Sequence, residues 1–243
     1  MKRFSIFEKI SLTSIVSVCT FIVSIFILSY LMLEMCMDGF YAHFNLSEEQ
    51  VEEYFIFNLD KPNIISAFLS NYIHKNPEHL FGNVGFTVVY TLLIAFIYLI
   101  REWMNIPVRK YYLFVFLGLS LFILPFLVSG VSYVFRDLLG GLCGGFSGIT
   151  YAFIGALFAL LIPLSAKLLF NFSKKIEREL NQSKCLNLVK NIMTVLVFIS
   201  ILSIMIPDMQ NPGTNYFAHI TGFIFGFVIT YLYDTYRIRK EMN

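Results

Sequence analysis

The sequence predicts an all-α membrane protein built as a six-transmembrane-helix bundle, and two observations favour this fold class. Hydrophobic residues make up 57% of the 243 residues and charged residues only 14%, with a mean hydropathy of +0.71. A soluble domain would lack the polar surface it needs at this composition. Long apolar runs also recur along the whole length, which leaves no room for a separate soluble domain. Residues 1–243 are therefore expected to form one membrane domain.

Six apolar runs are each long enough to cross a hydrocarbon core about 30 Å thick, which takes about 20 helical residues. Each is expected to be helical, because in lipid every backbone N–H and C=O must be paired within its own segment. The first run is about twice as long as a signal-peptide core and lacks a small-residue cleavage site, so it is interpreted as an uncleaved span. The predicted spans are residues 10–37, 79–100, 111–134, 146–166, 186–206 and 216–233.

Positive charge predicts the orientation of these spans, because short loops rich in Lys and Arg stay in the cytoplasm. With the N-terminus inside, only Lys61, Lys75 and Arg136 of the 18 basic residues fall on the outer side. Both termini are therefore predicted to be cytoplasmic. The inner basic residues are spread over several loops and form no single stripe, so no nucleic-acid binding is expected from the net charge of +2.

One outer connection, residues 38–78, is much longer than the others. A structureless loop of that size is unusual in a compact domain, so we expect it to be partly folded. Its first half is acidic and predicts a solvated segment. Its second half, residues 62–73, has apolar residues at helical spacing and predicts a helical stretch in the plane of the membrane interface.

Ser147 is the candidate nucleophile. It lies in a glycine-rich turn, between Gly145 and Gly148, that leads into the fourth predicted span. Backbone N–H groups are available at the start of a helix, and the helix dipole there favours negative charge. The turn therefore predicts a site for an oxyanion. The motif is weak by itself, since glycine and serine are also ordinary packing residues in membrane helices.

His219 is the candidate general base for that serine. It lies beside a row of small residues in the sixth span, Ala218, Gly222 and Gly226, and the fourth span carries a matching row in Gly148, Ala152 and Ala156. Two such faces allow close approach of the backbones, which would bring the serine hydroxyl within reach of the imidazole. The alternative is a structural histidine that only bonds within the bundle.

A third group of polar residues lies at the start of the second span. His79 and Asn83 are spaced i, i+4 and share one helix face. With the N-terminus inside, the second, fourth and sixth spans all run inward, so this pair is expected at the same depth as Ser147 and His219. His74 precedes the helix and is expected to hold the loop in place.

No metal or other cofactor is expected. The four cysteines show no CxxC or metal-ligand spacing, and a zinc site formed by His74, His79 and His219 would lack an accompanying carboxylate or thiolate. Cys36 and Cys143 both fall near the outer face, so a disulfide between them stays open as an alternative to free thiols.

Taken together, these residues resemble the signatures of the rhomboid family over residues 10–233. The family motifs are H-x4-H-x3-N, G-x-S-G and A-H-x2-G-x3-G. They occur here, in that order, as His74, His79 and Asn83, as residues 145–148, and as residues 218–226. One departure is the Trp-Arg pair common in the family's first outer loop, which is replaced here by Ile65 and Ser66.

The resemblance implies an intramembrane serine endopeptidase with a Ser147–His219 dyad. It implies that His79 and Asn83 help the Ser147 N–H to hold the oxyanion, and that the ring of Tyr151 packs beside the histidine. The implied substrates are membrane proteins cut in or near a transmembrane helix, which reach the site from the lipid past the fifth span. A water-filled cavity capped by residues 207–215 is also expected.

Two alternatives remain. A catalytically silent rhomboid-like protein that binds membrane clients would keep the fold without the chemistry, and a six-span transporter would use the histidines as a polar solute site. The expected surroundings are the lipid bilayer of the cell membrane, since the tails are short and no amphipathic, acid-poor transit segment is present.

Overall fold

The computed structural model describes most of the chain. The described residues are 10–34, 47, 50, 55–73, 77–106, 109, 111–139, 142–143, 145–175, 215–242 and eight positions between 187 and 199. Within them the fold is mostly helical. The helices are α1 (Leu12–Glu34), α2 (Ile64–Leu69), α3 (Pro77–Trp103), α4 (Tyr112–Phe122), α5 (Leu124–Val134), α6 (Arg136–Leu139), α7 (Ser147–Lys175) and α8 (Tyr216–Met242). Two short strands, β1 (Phe57–Asn58) and β2 (Leu142–Cys143), complete the described elements.

Four of the described helices, α1, α3, α7 and α8, are long and apolar enough to cross a membrane. The pair α4 and α5 makes a fifth candidate if the two are taken as one bent span. The predicted all-α class is therefore confirmed, while the sixth span remains a prediction, because most of residues 186–206 lie outside the described part of the chain. Helices α7 and α8 also continue beyond the predicted ends at residues 166 and 233.

The third predicted span, residues 111–134, is two helices that meet at an angle of 41°. Pro125 explains the break, because proline has no N–H to offer the carbonyl four residues earlier and its ring clashes with that carbonyl. The carbonyl in question belongs to Leu121, and it accepts a hydrogen bond from the Tyr72 hydroxyl instead. The outer loop thus satisfies a backbone group that the proline leaves exposed.

Helix α7 lies at the centre of the bundle. It packs against α3, α4, α5 and α8, while α1 packs against α3 and α4. Its side chains at Ile149, Phe153 and Ala156 are fully buried, and the ring of Phe153 stacks on Phe21 of α1. Residues at the start of α7 are therefore surrounded by other helices.

The outer loop is partly folded, and its helical part is shorter than expected. Helix α2 is capped by Asn63, whose side-chain oxygen accepts a hydrogen bond from the Ile65 N–H at 2.8 Å. Ser129 of α5 donates to the carbonyl of Ala67 at 2.6 Å, and Asn71 donates to Ser129 at 3.2 Å. This part of the loop therefore packs onto α5.

The two strands pair in antiparallel fashion, with Phe57 opposite Cys143 and Asn58 opposite Leu142. A strand pair was not expected for an all-α chain. It is only two residues long on each side and joins the outer loop to the segment just before α7. Cys36, the other cysteine of the disulfide hypothesis, lies outside the described residues.

Candidate active site

Five of the residues singled out in the sequence line one cavity of about 370 Å³. They come from three helices that are distant in the chain. His79 and Asn83 belong to α3, Ser147 and Tyr151 to α7, and His219 to α8. The fold therefore brings together the polar groups that the spans were predicted to hold at one depth.

Ser147 is the first residue of α7 and is 7% exposed. The turn before it depends on Gly145, whose backbone φ of 117° is rarely adopted by residues that have a Cβ. The Gly145 N–H donates to the carbonyl of Ser70 at 2.7 Å, which ties the turn to the outer loop. The first N–H groups of a helix have no acceptor within the helix, so the start of α7 presents donors beside the serine.

His219 lies in the first turn of α8 and is also 7% exposed. Its ring stacks on Tyr151, with the ring centroids 4.3 Å apart and the planes 23° apart. Asn215 fixes the start of this helix. Its Oδ1 accepts from the Ala218 N–H at 3.1 Å, and its Nδ2 donates to the Ser132 hydroxyl of α5 at 2.8 Å.

Helices α7 and α8 approach each other very closely, as the small-residue rows predict. A methyl group placed on Gly222 would overlap the carbonyl oxygen of Gly148, and one on Gly226 would overlap that of Ala152. At Gly148 it would meet a methyl of Val128 at 3.0 Å and the Ala218 carbonyl oxygen at 3.2 Å. The glycines therefore set the distance between the helix that carries Ser147 and the helix that carries His219.

His79 and Asn83 lie one turn apart on α3, as their spacing predicts. Asn83 is buried, whereas His79 is exposed. The Asn83 carbonyl accepts a hydrogen bond from the Thr87 hydroxyl at 2.8 Å. Both residues line the same cavity as Ser147 and His219.

A comparison with known protein families decides the class of this chain. The sequence model of the Rhomboid domain matches residues 61–235, which is more than half of the chain. The chain belongs to the rhomboid family. It is therefore an integral multi-pass membrane protein whose surroundings are a lipid bilayer. No curated protein sequence matches it.

The family match includes every residue of the candidate site, since it begins at residue 61 and ends at 235. It also includes two features whose placement lies outside the described residues. One is His74, the residue expected to hold the loop, and the other is the segment 207–214, most of the expected cap. No group of three or more His, Cys, Asp or Glu side chains in the described part of this rhomboid-family chain could hold a metal ion.

Reasoning from the sequence did not single out several residues that lie in or beside this rhomboid-family site. Asn215 carried a usable signal, because asparagine directly before an apolar helical run is typical of a helix N-cap. Thr87 and Thr91 continue the i, i+4 row that begins with His79 and Asn83, and Thr150 follows Ser147 by one turn. The cavity is further lined by Glu78, Gly82, Phe86, Tyr90, Thr150 and Ile154.

Proposed function

We propose that this rhomboid-family protein is an intramembrane serine endopeptidase, which hydrolyses peptide bonds in or near the transmembrane helices of membrane-protein substrates. The observation that carries the proposal is that Ser147 of α7 and His219 of α8 open onto the same cavity. A hydroxyl and an imidazole beside one cavity are the two groups that nucleophilic acyl transfer needs.

The reaction begins with proton transfer. His219 accepts the proton of the Ser147 hydroxyl while the serine oxygen attacks the carbonyl carbon of the scissile bond. The tetrahedral intermediate then collapses, and the leaving amine takes the proton from His219. Water hydrolyses the resulting ester by the same steps, which releases the new carboxyl group and restores the serine.

Three donors are assigned to the oxyanion of the tetrahedral intermediate. The first is the backbone N–H of Ser147 at the start of α7, and the other two are the side chains of Asn83 and His79, which face the same cavity. Loss of one such donor typically costs about 3–4 kcal/mol of transition-state stabilisation. Tyr151 supports the base by restricting the imidazole to one plane.

The proposed topology has six spans with both termini in the cytoplasm, and residues 1–243 form one domain. In that orientation the cavity opens toward the outer face of the cell membrane, where water can reach the serine. Substrate helices approach from the lipid past the fifth span. A substrate must unwind near the cut, because an intact helix keeps its carbonyls in hydrogen bonds.

The proposal is tested on purified protein in detergent with a fluorophosphonate, which labels activated serines, and with cleavage of a model transmembrane substrate. Wild type is expected to be labelled and to cleave. Ser147→Ala and His219→Ala should each lose at least about 10³-fold in rate. Ser24→Ala is the matched control, since the Ser24 hydroxyl bonds only to the Thr20 carbonyl within α1 in the described part of the chain.

Activity that survives both active-site changes ends the protease proposal. A wild-type protein that is folded, unlabelled and inactive favours the catalytically silent alternative instead. Solute flux without covalent labelling favours the transporter.

A further inference from the structure

Two buried threonine hydroxyls connect α3 to α7, one helical turn after Asn83 and Ser147. The Thr87 hydroxyl lies 2.9 Å from that of Thr150 and 2.8 Å from the carbonyl oxygen of Asn83. Thr87 is 1% exposed and Thr150 is 3% exposed. Neither hydroxyl is required for the serine chemistry described above, so their pairing needs a separate explanation.

The direction of these hydrogen bonds follows from the number of protons. A hydroxyl has one proton to donate, and the Asn83 carbonyl oxygen only accepts. Thr87 therefore donates to Asn83, and Thr150 donates to Thr87. The other acceptors within reach of Thr150, the carbonyls of Asn83 and Phe146, are both at the longer distance of 3.4 Å. The result is a series of hydrogen bonds that runs from Thr150 through Thr87 to Asn83.

This series of hydrogen bonds lies next to the candidate active site. Thr150 lines the cavity and follows Ser147 by three residues in α7. Thr87 follows Asn83 by one turn in α3. The hydrogen bonds thus join the backbone that carries the nucleophile to the backbone that carries one of its expected oxyanion donors.

Stability alone gives little reason for such a pair. Hydrogen bonds between membrane helices contribute modestly to folding, because the unfolded chain in lipid finds partners as well. Catalytic donors, by contrast, must be held within a fraction of an ångström of the productive geometry. A polar contact between α3 and α7 fixes the relative position of the two helices at this depth.

We infer that Thr87 and Thr150 are positioning residues that hold the Asn83 side chain at the oxyanion side of the site. This inference rests on the proposed protease function and extends it to two residues outside the family motifs. Neither threonine supplies a group to the reaction itself, although Thr150 lines the cavity. They act through the backbone of α3, which they hold against α7.

The test compares Thr87→Val and Thr150→Val with wild type, since valine keeps the shape of threonine and removes the hydroxyl. We expect kcat to fall by about tenfold while KM changes by less than about twofold. Fluorophosphonate labelling should slow by the same factor, because its phosphoryl oxygen occupies the oxyanion site. Thr87→Ser retains the hydroxyl and should restore the rate.

Thr91→Val is the matched control. Thr91 is also buried in α3, but its hydroxyl donates to the Thr87 carbonyl at 2.7 Å, within the same helix. Its labelling rate should stay within about twofold of wild type, because no bond to α7 is lost. A merely structural effect of removing a buried hydroxyl would slow all three valine variants alike.

A double-variant cycle identifies the residue through which the threonines act. If they act through Asn83, Thr87→Val should have no further effect on labelling in an Asn83→Ala background. Labelling rates are expressed per folded molecule, and Thr150→Val supplies the same test if Thr87→Val does not fold.

Normal labelling rates in both threonine variants, or fully additive effects in the cycle, overturn the positioning role. The protease proposal stays intact in that case, provided that labelling of the wild type depends on Ser147. Labelling that persists in Ser147→Ala, or its absence from wild type, overturns the protease proposal and this inference with it.

Discussion

The imidazole of His219 lies against the ring of Tyr151, with the two ring planes 23° from parallel. The histidine comes from α8 and the tyrosine from α7, one turn after Ser147. This stacking limits rotation of the imidazole and turns its edge, which carries both nitrogen atoms, away from the face of the tyrosine.

Removal of the Tyr151 ring is expected to slow the reaction without abolishing it. A stacked aromatic pair contributes about 0.5–1.5 kcal/mol beyond its buried area, so Tyr151→Ala should lower kcat by about two- to tenfold. Tyr151→Phe keeps the ring and serves as the control, with a rate near that of wild type. An equal loss in both variants would assign the effect to the hydroxyl and contradict the stacking role. Single-turnover cleavage of a transmembrane substrate measures the difference.

Gly222→Ala is expected to separate α7 from α8 and to reduce both stability and activity. The new methyl group would overlap the Gly148 carbonyl oxygen, which belongs to backbone and moves only with its helix. Overpacking of this kind costs about 1–3 kcal/mol. The measurements are thermal unfolding in detergent and the rate of serine labelling.

Gly118→Ala is the matched control for Gly222. Gly118 also lies within a helix, α4, but nothing approaches within 4 Å of the position of an added methyl group. It should unfold at or slightly above the wild-type temperature, because alanine favours the helix. Equal behaviour of the two variants would contradict the close approach of α7 and α8.

Asn215→Ala is expected to destabilise the first turn of α8. It removes the N-cap bond to Ala218, at a typical cost of about 1 kcal/mol, together with the bond to Ser132. Asn215→Asp keeps the capping oxygen and replaces the amide donor to Ser132 with a second oxygen. It therefore separates the loss of the N-cap bond from the loss of the bond to Ser132. If the bond to Ser132 positions His219, labelling should be slow in Asn215→Asp even where the unfolding temperature is close to wild type.

Tyr72→Phe is expected to destabilise the break between α4 and α5. The variant leaves the Leu121 carbonyl without its donor in a partly buried bond, and loss of such a hydrogen bond costs about 1 kcal/mol. Burial raises the pKa of the Tyr72 phenol, so the hydroxyl keeps its proton and its bond throughout the neutral pH range. In a Pro125→Ala background the helix recovers an N–H for the Leu121 carbonyl. The loss of stability caused by Tyr72→Phe should therefore be smaller in that background. Urea or thermal unfolding of the four variants tests this; equal effects in both backgrounds would reject the explanation.

Local chemistry explains why the membrane helices, the residues of the candidate site and the contact between α7 and α8 could be predicted from the sequence. Long apolar runs identify membrane helices, because the bilayer sets both their length and their internal hydrogen bonding. The short motifs around His79, Ser147 and His219 identified residues that line one cavity. The small-residue rows also predicted the close contact of α7 with α8, since small side chains are what such a contact requires.

The sequence by itself determined which segments are helical and apolar, and which polar residues stand out within them, because these properties depend on neighbours along the chain. Tertiary structure decided how those segments meet. The Tyr72 hydroxyl satisfies a carbonyl at Leu121, Asn215 bonds to Ser132, and Thr150 bonds to Thr87, and each pair is at least 49 residues apart in the chain. A hydrogen bond of this kind depends on the packing of two distant segments to within a fraction of an ångström, and no local pattern of residues encodes that distance.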